Sequence, residues 1–325
     1  MVKVAIAGGS GGVGREVIDA LIAAKKHTII VLTRKVRHGP ITDTEAQEPT
    51  QGITWVKVDY NDTTQLTKVL QGVHTVLSFI TTQGDPGSTT QKNLINAAVQ
   101  AGVKRFAPSE WASSRLDYLD WYAYKGETRR YLQELNKDKK VLEYTLFQPG
   151  VFLNYLTHPH QSARHLPSIA TPFDFANRRM ILVDGDDGTR ITLTAVQDIA
   201  RVVARAVEYE GEWPVVGGIQ GSKISIGEVI ALGERTRGGL PFTIERVKAE
   251  DLEAGTWETS WTPTVDHPSI PPEQAAVASK YMTSRILLAV NAGSYAVSDQ
   301  WNNLLPDFEF TPVEKFLTDA WKGKA

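Results

Sequence analysis

The sequence contains no cysteine, no excess of basic residues and no long apolar run. With no cysteine among its 325 residues, the chain has no disulfide, no thiolate nucleophile and no cysteine-ligated metal centre. Lys and Arg number 35 and Asp and Glu number 37, so the formal net charge is −2 at pH 7. Proteins that bind nucleic acids or acidic membrane surfaces usually carry an excess of basic residues. We therefore expect neither nucleic acid nor a membrane as a partner.

The amino-terminal segment is too poor in apolar residues for a signal peptide or a membrane span. Only Val4-Ala5-Ile6-Ala7 precedes a glycine cluster, whereas both kinds of segment need a longer apolar run. The sequence accordingly predicts a soluble, cytoplasmic protein. Its composition is globular, with 42% hydrophobic and 22% charged residues, so a sizeable core is available.

Short apolar runs alternate with amphipathic stretches along the first half of the chain. Apolar residues recur at helical spacing from Gly12 to Ala24, between a buried run at Val2 to Ala7 and a β-branched run at Thr28 to Leu32. The alternation continues to a helix expected from Trp121 to Leu135 and a strand at Thr145 to Gln148. Six strand candidates separated by helices predict βαβ units, and therefore an α/β fold with a Rossmann-type, doubly wound parallel sheet.

The regular alternation ends after Pro149-Gly150, where prolines and polar stretches become frequent. We predict a Rossmann domain over residues 1–150 and a smaller, mixed α/β substrate domain over residues 151–325. A strand and a helix at about 190–220 are expected to return to the first domain, so the second is partly interleaved with it. Near the carboxyl terminus, Thr311-Pro312-Val313-Glu314 predicts a capping box that begins a short helix.

The most informative motif lies between the first strand and the first helix, where glycines have the spacing G-x-x-G-x-x-G. The first glycine permits a tight bend, the second lets the backbone approach a pyrophosphate, and the third lets helix and strand pack closely. Free N–H groups of the first helical turn then bind the anion. This order of elements predicts a dinucleotide site, with a plain glycine-rich turn as the alternative. Cofactor contacts are expected from Gly8, Ser10, Gly11, Gly12, Val13 and Gly14.

The end of the second strand indicates which dinucleotide binds. NAD sites usually place Asp or Glu there for the ribose 2′-hydroxyl, whereas this chain has Thr33-Arg34-Lys35 and then Arg37. Arg34 can hold a 2′-phosphate by charge-assisted hydrogen bonds, with Lys35 beside it. We therefore predict NADP as the cofactor, with a solvated basic loop as the alternative. The polar, aperiodic residues up to Gly52 are expected to form a surface loop.

Two later segments carry a family resemblance. They read Arg105-Phe106-Ala107-Pro108-Ser109-Glu110-Trp111 and Trp121-Tyr122-Ala123-Tyr124-Lys125-Gly126-Glu127-Thr128-Arg129-Arg130. With the glycine motif, Arg34 and Pro149-Gly150-Val151-Phe152-Leu153-Asn154, they resemble the NmrA-like and isoflavone-reductase-like group of atypical short-chain dehydrogenases. The resemblance covers most of the chain and is specific in its first half. It implies a Rossmann domain with a smaller substrate domain, and NADPH as the cofactor.

The resemblance also implies a catalytic role for Lys125. Typical short-chain dehydrogenases place a proton-donating Tyr four residues before this Lys, one helical turn away, but that position is Trp121 here. Isoflavone-reductase-like enzymes also lack the Tyr and rely on the Lys. We expect Lys125 to bind the nicotinamide ribose and, with a lowered pKa, to act as general acid. Tyr122, about 60° from it on an ideal helix, is expected to assist; an exposed surface lysine is the alternative.

Further site residues follow from position and analogy. Asp59, at the end of the third strand, is expected near the adenine, or else serves as a helix-capping or loop carboxylate. Other cofactor contacts are expected from Phe79, Ile80, Pro149, Val151 and Phe152. Substrate contacts are expected from Trp111, Asn154 and Tyr155. An aromatic wall for an apolar substrate, or equally an interface core, is expected from Trp111, Trp121, Tyr122, Phe152 and Tyr155.

Two segments match metal sites poorly. Asp184-Gly185-Asp186-Asp187-Gly188 is similar to a calcium loop, but its twelfth position is Ala195 where Glu is needed, so a hairpin turn is expected. His158-Pro159-His160 has no acidic residue nearby. We therefore expect no bound metal.

These inferences combine into one expected activity. The chain is expected to be an NADPH-dependent reductase of a small aromatic or secondary-metabolite carbonyl or enone, acting as a monomer or homodimer. Two alternatives remain open: an NmrA-like redox-sensing regulator that binds NAD(P) and a protein partner without turnover, and a redox-neutral enzyme that keeps NADP bound. The presence of Lys125 and of the Phe-Ala-Pro-Ser-Glu-Trp segment favours the reductase.

Overall fold

The computed structural model describes residues 2–34, 52–81, 85–264 and 271–324. In these ranges the strands are β1 (Val2–Ala7), β2 (His27–Thr33), β3 (Ile53–Lys57), β4 (Thr75–Ser78), β5 (Arg105–Ala107), β6 (Glu143–Tyr144), β7 (Leu146–Gln148), β8 (Val151–Phe152), β9 (Phe173–Asp174), β10 (Arg179–Val183), β11 (Arg190–Thr194), β12 (Val216–Gly218), β13 (Ser222–Ser225) and β14 (Thr243–Val247). The helices are α1 (Gly12–Ala24), α2 (Thr63–Val69), α3 (Thr89–Gln100), α4 (Ala123–Leu135), α5 (Val196–Glu208), α6 (Ile226–Thr236), α7 (Ala249–Ala254), α8 (Ala275–Asn291), α9 (Gln300–Leu304) and α10 (Val313–Trp321). Lys35, Arg37 and nearly all of the expected surface loop lie outside the described residues.

Strands β1 to β6 form one parallel sheet in the order β3-β2-β1-β4-β5-β6. The strand order reverses between β1 and β4, and doubly wound sheets bind ligands at the carboxyl ends of the strands beside such a reversal. The central strands are apolar on both faces, as in Val4 to Ala7 and Ile29 to Leu32, because helices cover both faces of a parallel sheet. The predicted α/β fold of Rossmann type is thus confirmed.

Helices α2 and α3 bury their apolar faces in the core of this sheet. Leu66 of α2 and Leu94 and Ile95 of α3 are fully buried against strand residues such as Val76. Helix α2 begins at Thr63, because the Asp62 carboxylate accepts a hydrogen bond from the first-turn N–H group of Gln65.

The structure corrects two element boundaries in this half of the chain. The expected helix from Trp121 begins only at Ala123, because Asp120–Tyr122 forms a 3₁₀ turn. The last strand of the main sheet is β6, whereas β7 pairs with β12. Strand β5 is followed directly by Pro108, which has no N–H group to extend the ladder beyond β6.

The chain divides into two compact units. The first consists of Met1–Glu110, Trp121–Phe147 and Ala200–Gly217, and the second of Trp111–Asp120, Gln148–Ile199 and Gly218–Ala325. The returning stretch therefore begins at Ala200 and not at residue 190. Strand β11 belongs to the second unit because it pairs with β8 and β13 there.

The second unit contains two small sheets, β14-β10-β9 and β13-β11-β8. Its main core joins these sheets to α6 and α10 through residues such as Met180, Ile226, Leu317 and Trp321. Among the helices that the structure describes, none combines the length and the apolar composition that crossing a bilayer requires.

Two turns of the second unit differ from their sequence-based predictions. The segment Asp184 to Gly188 is no hairpin, because β10 and β11 lie in different sheets, and it contains a 3₁₀ turn. Thr311 forms no capping box, since its N–H and hydroxyl donate to the Asp198 carboxylate at 2.7 and 2.9 Å. A capping box occurs instead at Ser225 and Glu228, where α6 begins.

Candidate active site

The glycine turn after β1 is in backbone contact with the end of β4. Gly8 has φ of 76°, and a Cβ atom there would lie 2.6 Å from the carbonyl carbon of Phe79 and 2.9 Å from the N atom of Ile80. Only glycine satisfies both the positive φ and this approach. The turn therefore brings Gly8, Phe79 and Ile80 together at the reversal of strand order.

The same turn leads into α1 without a side-chain cap. Gly11 is the N-cap residue, and its N–H donates to the Gly8 carbonyl at 3.1 Å. A Cβ atom on Gly14 would lie 2.9 Å from the Cα atom of Gly9, so the first helical turn packs directly on the loop. Ser10 and Gly11 are exposed. The exposed turn and the uncapped start of α1 fit an anionic group of a dinucleotide.

The end of β2 lies beside a buried tyrosine that the sequence analysis missed. Tyr60 is 7% exposed, and its hydroxyl donates to the Leu32 carbonyl at 3.4 Å. A backbone hydrogen bond from Gly8 also reaches this hydroxyl, and burial raises the pKa of Tyr60 while the Arg34 charge opposes the shift. Tyr60 thus connects the glycine turn to the strand end that carries Arg34. Its position directly after Asp59 was the only signal in the sequence.

Asp59 itself has a local structural contact. Its carboxylate accepts a hydrogen bond from the Asn61 N–H at 2.9 Å, and its own N–H donates to Gln65 at 2.7 Å. It therefore stabilises the turn that precedes α2, in agreement with the loop-carboxylate alternative. The side chain is exposed, and its contact with adenine stays a prediction.

Lys125 is buried, in contrast to an ordinary surface lysine. It is 4% exposed, its Nζ atom donates to the Glu110 main-chain carbonyl, and it lies 3.7 Å from the centroid of the Tyr122 ring. Burial lowers the pKa of Lys125 from 10.5 to about 8, because loss of water disfavours the ammonium; the Glu110 charge partly offsets this effect, and the Arg129 charge adds to it. The site therefore holds a lysine that titrates near neutral pH.

Tyr122 contacts Lys125 with its ring face. It precedes α4 with φ of −101° and ψ of 8°, so the helical angle expected between the two residues does not apply. The Tyr122 hydroxyl is hydrogen-bonded to the Trp121 side chain, and burial raises the pKa of Tyr122. The two neighbouring rings meet edge to face, with centroids 5.9 Å apart. Tyr122 thus stabilises the ammonium by a cation–π contact.

Glu110 and Arg129 form a two-point ion pair next to the lysine. Arg129 Nε lies 3.0 Å from Glu110 Oε1 and Arg129 Nη2 lies 2.6 Å from Glu110 Oε2. The Glu110 side chain is 1% exposed, so the pair is largely desolvated on the carboxylate side. Both residues belong to the segments that carry the family resemblance, but no local pattern in the sequence indicates that they pair.

A buried amide network fixes the turn that carries Glu110. Gln91 of α3 accepts from the Ser109 N–H at 3.2 Å and exchanges hydrogen bonds with the Ser78 hydroxyl at 3.0 and 3.1 Å. The Asp85 carboxylate in turn accepts from the N–H groups of Thr90 and Gln91 at 2.7 and 3.2 Å. The carboxyl ends of β4 and β5 are therefore held at a fixed separation, which positions the Glu110 carbonyl for Lys125.

Comparison with known proteins identifies the family. The model of the NmrA-like family matches residues 2–250. The chain belongs to the NmrA-like family. Among relatives of this NmrA-like protein, oxidoreductase BOA1 of Botryotinia fuckeliana is 33% identical over 243 residues, which cover 73% of this chain and 77% of that protein. Oxidoreductase swnN of Metarhizium robertsii is 28% identical over 350 residues, covering 100% of this chain and 98% of that protein.

Solved structures share the fold of this NmrA-like protein over almost its whole length. The NADPH-dependent quinone oxidoreductase QOR2 of Escherichia coli, complexed with NADPH, has a TM-score of 0.67 at 20% identity and covers 98% of this chain and 99% of that chain. AtPrR2 with NADP+ and (+)pinoresinol has a TM-score of 0.68 at 16% identity and covers 98% of both chains. At these identities the likeness establishes the fold.

The remaining expected site residues of this NmrA-like protein lie in the second unit. Asn154 is 3% exposed; its Oδ1 accepts from the Val196 N–H at 2.8 Å and its Nδ2 donates to Ser162 and Gln197. It therefore stabilises the start of α5. The Pro149 carbonyl accepts a hydrogen bond from the Thr194 hydroxyl at 2.8 Å. Val151 and Phe152 form β8. Trp111 has φ of 47°, and the Tyr155 and Phe152 rings are 5.4 Å apart.

In the part of the chain that the structure describes, no group of three or more His, Asp or Glu side chains is arranged to hold a metal ion. His158 pairs with the Ser168 hydroxyl through Nδ1 at 3.0 Å. In the acidic segment from Asp184 to Gly188, the Asp186 carboxylate also has a structural contact, because it accepts a hydrogen bond from the Asn291 amide at 3.2 Å.

Proposed function

We propose that this protein is an NADPH-dependent reductase of a small aromatic carbonyl or enone, with Lys125 as the proton donor. The observation that carries the proposal is the buried Lys125 ammonium, held on a neutral carbonyl with a pKa of about 8. Two relatives bear the name oxidoreductase, and a structural neighbour is named an NADPH-dependent quinone oxidoreductase. These names support the same reaction class for this chain.

The first unit offers the groups that a phosphorylated dinucleotide requires. The turn from Gly8 to Gly14 and the start of α1 would hold the pyrophosphate, because their backbone comes close without side chains. Arg34 would pair with the 2′-phosphate. When bound, NADPH supplies a hydride, that is, both electrons of the reduction. Cofactor contacts from Asp59, Phe79, Ile80, Pro149, Val151 and Phe152 remain part of the proposal.

Lys125 would complete the reduction by protonating the oxygen of the substrate. With a pKa of about 8, about nine-tenths of the lysine carries its proton at pH 7. A carbonyl that received the hydride at carbon and the lysine's proton at oxygen would become an alcohol. Solvent then restores the proton to the neutral amine. Tyr122 would keep the ammonium oriented through its ring face, and Trp111, Asn154 and Tyr155 are proposed to contact the substrate.

Calorimetric titration combined with turnover assays tests this proposal. We expect NADPH and NADP+ to bind more tightly than NADH and NAD+, and Arg34→Ala to weaken only the phosphorylated forms, by roughly 10-fold or more, because it removes a charge-assisted hydrogen bond. With quinones and aromatic enones as acceptors, Lys125→Met should lower kcat by about 10² to 10⁴ through loss of the general acid. Lys137→Met serves as control, since Lys137 is 55% exposed beyond the end of α4.

Other outcomes would redirect the assignment. Equal binding of all four nucleotides, or an unchanged kcat in Lys125→Met, contradicts the proposal. Tight binding with a preference for oxidised nucleotides and no turnover indicates the redox-sensing regulator. A product of unchanged oxidation state that still requires bound NADP indicates the redox-neutral enzyme.

A further inference from the structure

Two cations on one face of α4 converge on a single residue. Lys125 and Arg129 are four residues apart, so their side chains leave the helix on the same side, one turn from each other. The Glu110 main-chain carbonyl receives Lys125, whereas both oxygens of the Glu110 carboxylate receive Arg129. The main-chain carbonyl and the carboxylate of Glu110 thus bind different cations.

Among the residues that the structure describes, this division leaves the lysine without a carboxylate contact. Its neighbours are a carbonyl oxygen and two aromatic rings, those of Tyr122 at 3.7 Å and Tyr124 at 5.8 Å. The charged groups that act on Lys125 are Glu110 and Arg129. Two further carboxylates have other partners: Asp85 accepts from the first turn of α3, and Glu127, on α4 itself, pairs with Lys92 at 3.5 Å.

We propose that Arg129 is a positioning residue for Lys125: by occupying both oxygens of Glu110, it keeps the lysine on the carbonyl as an unpaired proton donor. The proposal deepens the reductase assignment and rests on it for its catalytic meaning. Without the guanidinium, the buried carboxylate would be free to pair with the nearby ammonium. A lysine paired with a carboxylate holds its proton more tightly and is a weaker acid.

The bidentate geometry explains why this residue is arginine. Its planar fork matches the two carboxylate oxygens, and a lysine at the same position would bind one oxygen only and leave the other available. Arg129 also adds a positive charge near Lys125, which favours release of the lysine's proton. Glu110 and Arg129 therefore shift the pKa of Lys125 in opposite directions. Removing the one charge is expected to have the opposite effect on this pKa from removing the other.

The opposite shifts expected in the pKa of Lys125 distinguish a positioning role of Arg129 from a general structural role. In Arg129→Gln, the pKa of Lys125 should rise by about one unit or more, because a nearby carboxylate favours the charged form. In Glu110→Gln, the pKa of Lys125 should fall below that of the unaltered protein, since a charge that stabilises the ammonium is gone while an amide oxygen remains to accept from Arg129. Arg129→Lys should lie between Arg129→Gln and the unaltered protein.

A matched ion pair elsewhere in the same unit provides the control. Arg105 and Glu143 form another buried pair, with Nε and Oε1 2.8 Å apart and side-chain exposures of 3% and 11%, compared with 18% and 1% for Arg129 and Glu110. Arg105 is the first residue of β5, whereas Glu110 follows the end of that strand. Glu143→Gln should destabilise the unit yet leave the pKa of Lys125 unchanged to within about 0.3 units, because the pair does not contact the lysine.

The experiment follows the ¹³Cε chemical shift of Lys125 against pH in lysine-labelled full-length protein, with Lys125→Met to assign the signal. The alkaline limb of the kcat profile, measured with NADPH and a quinone, should move upward in Arg129→Gln and downward in Glu110→Gln. Equal pKa values in the three proteins, or upward shifts in both variants as hydration of a loosened site would cause, overturn the proposal. The chemical-shift titration needs no turnover, so it decides the electrostatic arrangement even where the reductase assignment fails.

Discussion

Burying the ammonium of Lys125 reduces the stability of the folded chain. The folded pKa of about 8 lies below the ordinary value of 10.5, so the folded state binds this proton more weakly than the unfolded state does. The penalty is complete below pH 8. It declines as pH rises from 8 to 10.5 and is absent above, because the lysine is then neutral in both states. A difference of about 2.5 units corresponds to about 3 kcal/mol.

Lys125→Met should therefore stabilise the protein at neutral pH. We expect the free energy of unfolding to increase by up to about 3 kcal/mol at pH 7, and the difference from the unaltered protein to decline between pH 8 and 10.5. Urea denaturation at several pH values measures both effects. Lys137→Met, at a position with 55% side-chain exposure, should show neither; a stability difference for Lys125→Met that is independent of pH would contradict the assigned pKa shift.

At the residue scale, the sequence indicated which side chains could carry the chemistry better than it indicated what surrounds them. Lys125 was predicted from a motif, but its burial comes from the Glu110 carbonyl and the Tyr122 ring, which only the fold brings to it. The pairing of Glu110 with Arg129 spans 19 residues, beyond the reach of a local pattern. Tyr60 was missed for the same reason, because its contacts with Leu32 and Gly8 depend on neighbouring strands.

At the scale of elements, the way a helix begins depends on whether another hydrogen-bond partner competes for the capping side chain. Two of the segments with the capping-box spacing differ in outcome: Ser225 with Glu228, and Thr311 with Glu314. Only the first forms the box, with the Ser225 hydroxyl accepting from the Glu228 N–H at 3.2 Å and the Glu228 carboxylate accepting from the Ser225 N–H at 2.6 Å. Thr311 bonds to Asp198 instead. A sequence pattern does not reveal such a distant competitor.

Ser225→Ala should destabilise the protein by about 1 kcal/mol, because the first turn of α6 loses its cap. Denaturant titration followed by circular dichroism measures the change. Ser225→Asp is the matched control, since aspartate caps a helix about as well as serine does, and its loss should remain below about 0.5 kcal/mol. Equal losses in the two variants would show that the position acts by some property other than capping.

At the scale of the whole molecule, the first unit depends on a chain segment that returns late. Arg105 is 2% exposed and binds Glu143 through Nε, while its Nη atoms donate to the Tyr209 and Gly211 carbonyls at 2.6 Å each. The guanidinium also lies 5.2 Å from the centroid of the Trp213 ring. One side chain thus joins β5, β6 and the returning segment.

Arg105→Met should lower the free energy of unfolding by about 3 to 5 kcal/mol, because it breaks a buried ion pair and leaves the Tyr209 and Gly211 carbonyls without their donor, although the Trp213 N–H and Lys140 still reach the Glu143 carboxylate. Tryptophan fluorescence in urea measures the loss, and limited proteolysis should show faster cleavage between residues 209 and 215. Arg235→Met is the control, since Arg235 and its partner Glu314 are each 55% exposed; its cost should be below about 1 kcal/mol. Similar losses in both variants would contradict the role given to Arg105.

The sheet was predictable as a whole, while the division of the chain was not. Apolar runs alternating with helices were enough to predict a parallel doubly wound sheet, because its central strands are buried on both faces, although the sixth strand is Glu143–Tyr144 and the predicted run up to Gln148 pairs elsewhere. The boundary at residue 150 and the return at 190 differ from the observed segments. Pairing of β11 with β8 and β13 determines where the return begins, and strand partners of short strands leave no local signature.

The order of segments also affects how the protein is made and how it can be rearranged. The chain passes between the two units after residues 110, 120, 147, 199 and 217. A ribosome must therefore release residue 217 before the first unit has all its parts, including the carbonyls that Arg105 binds. Neither unit corresponds to one uninterrupted stretch of the gene. Transfer of a substrate unit from one relative to another would accordingly require three separate grafts.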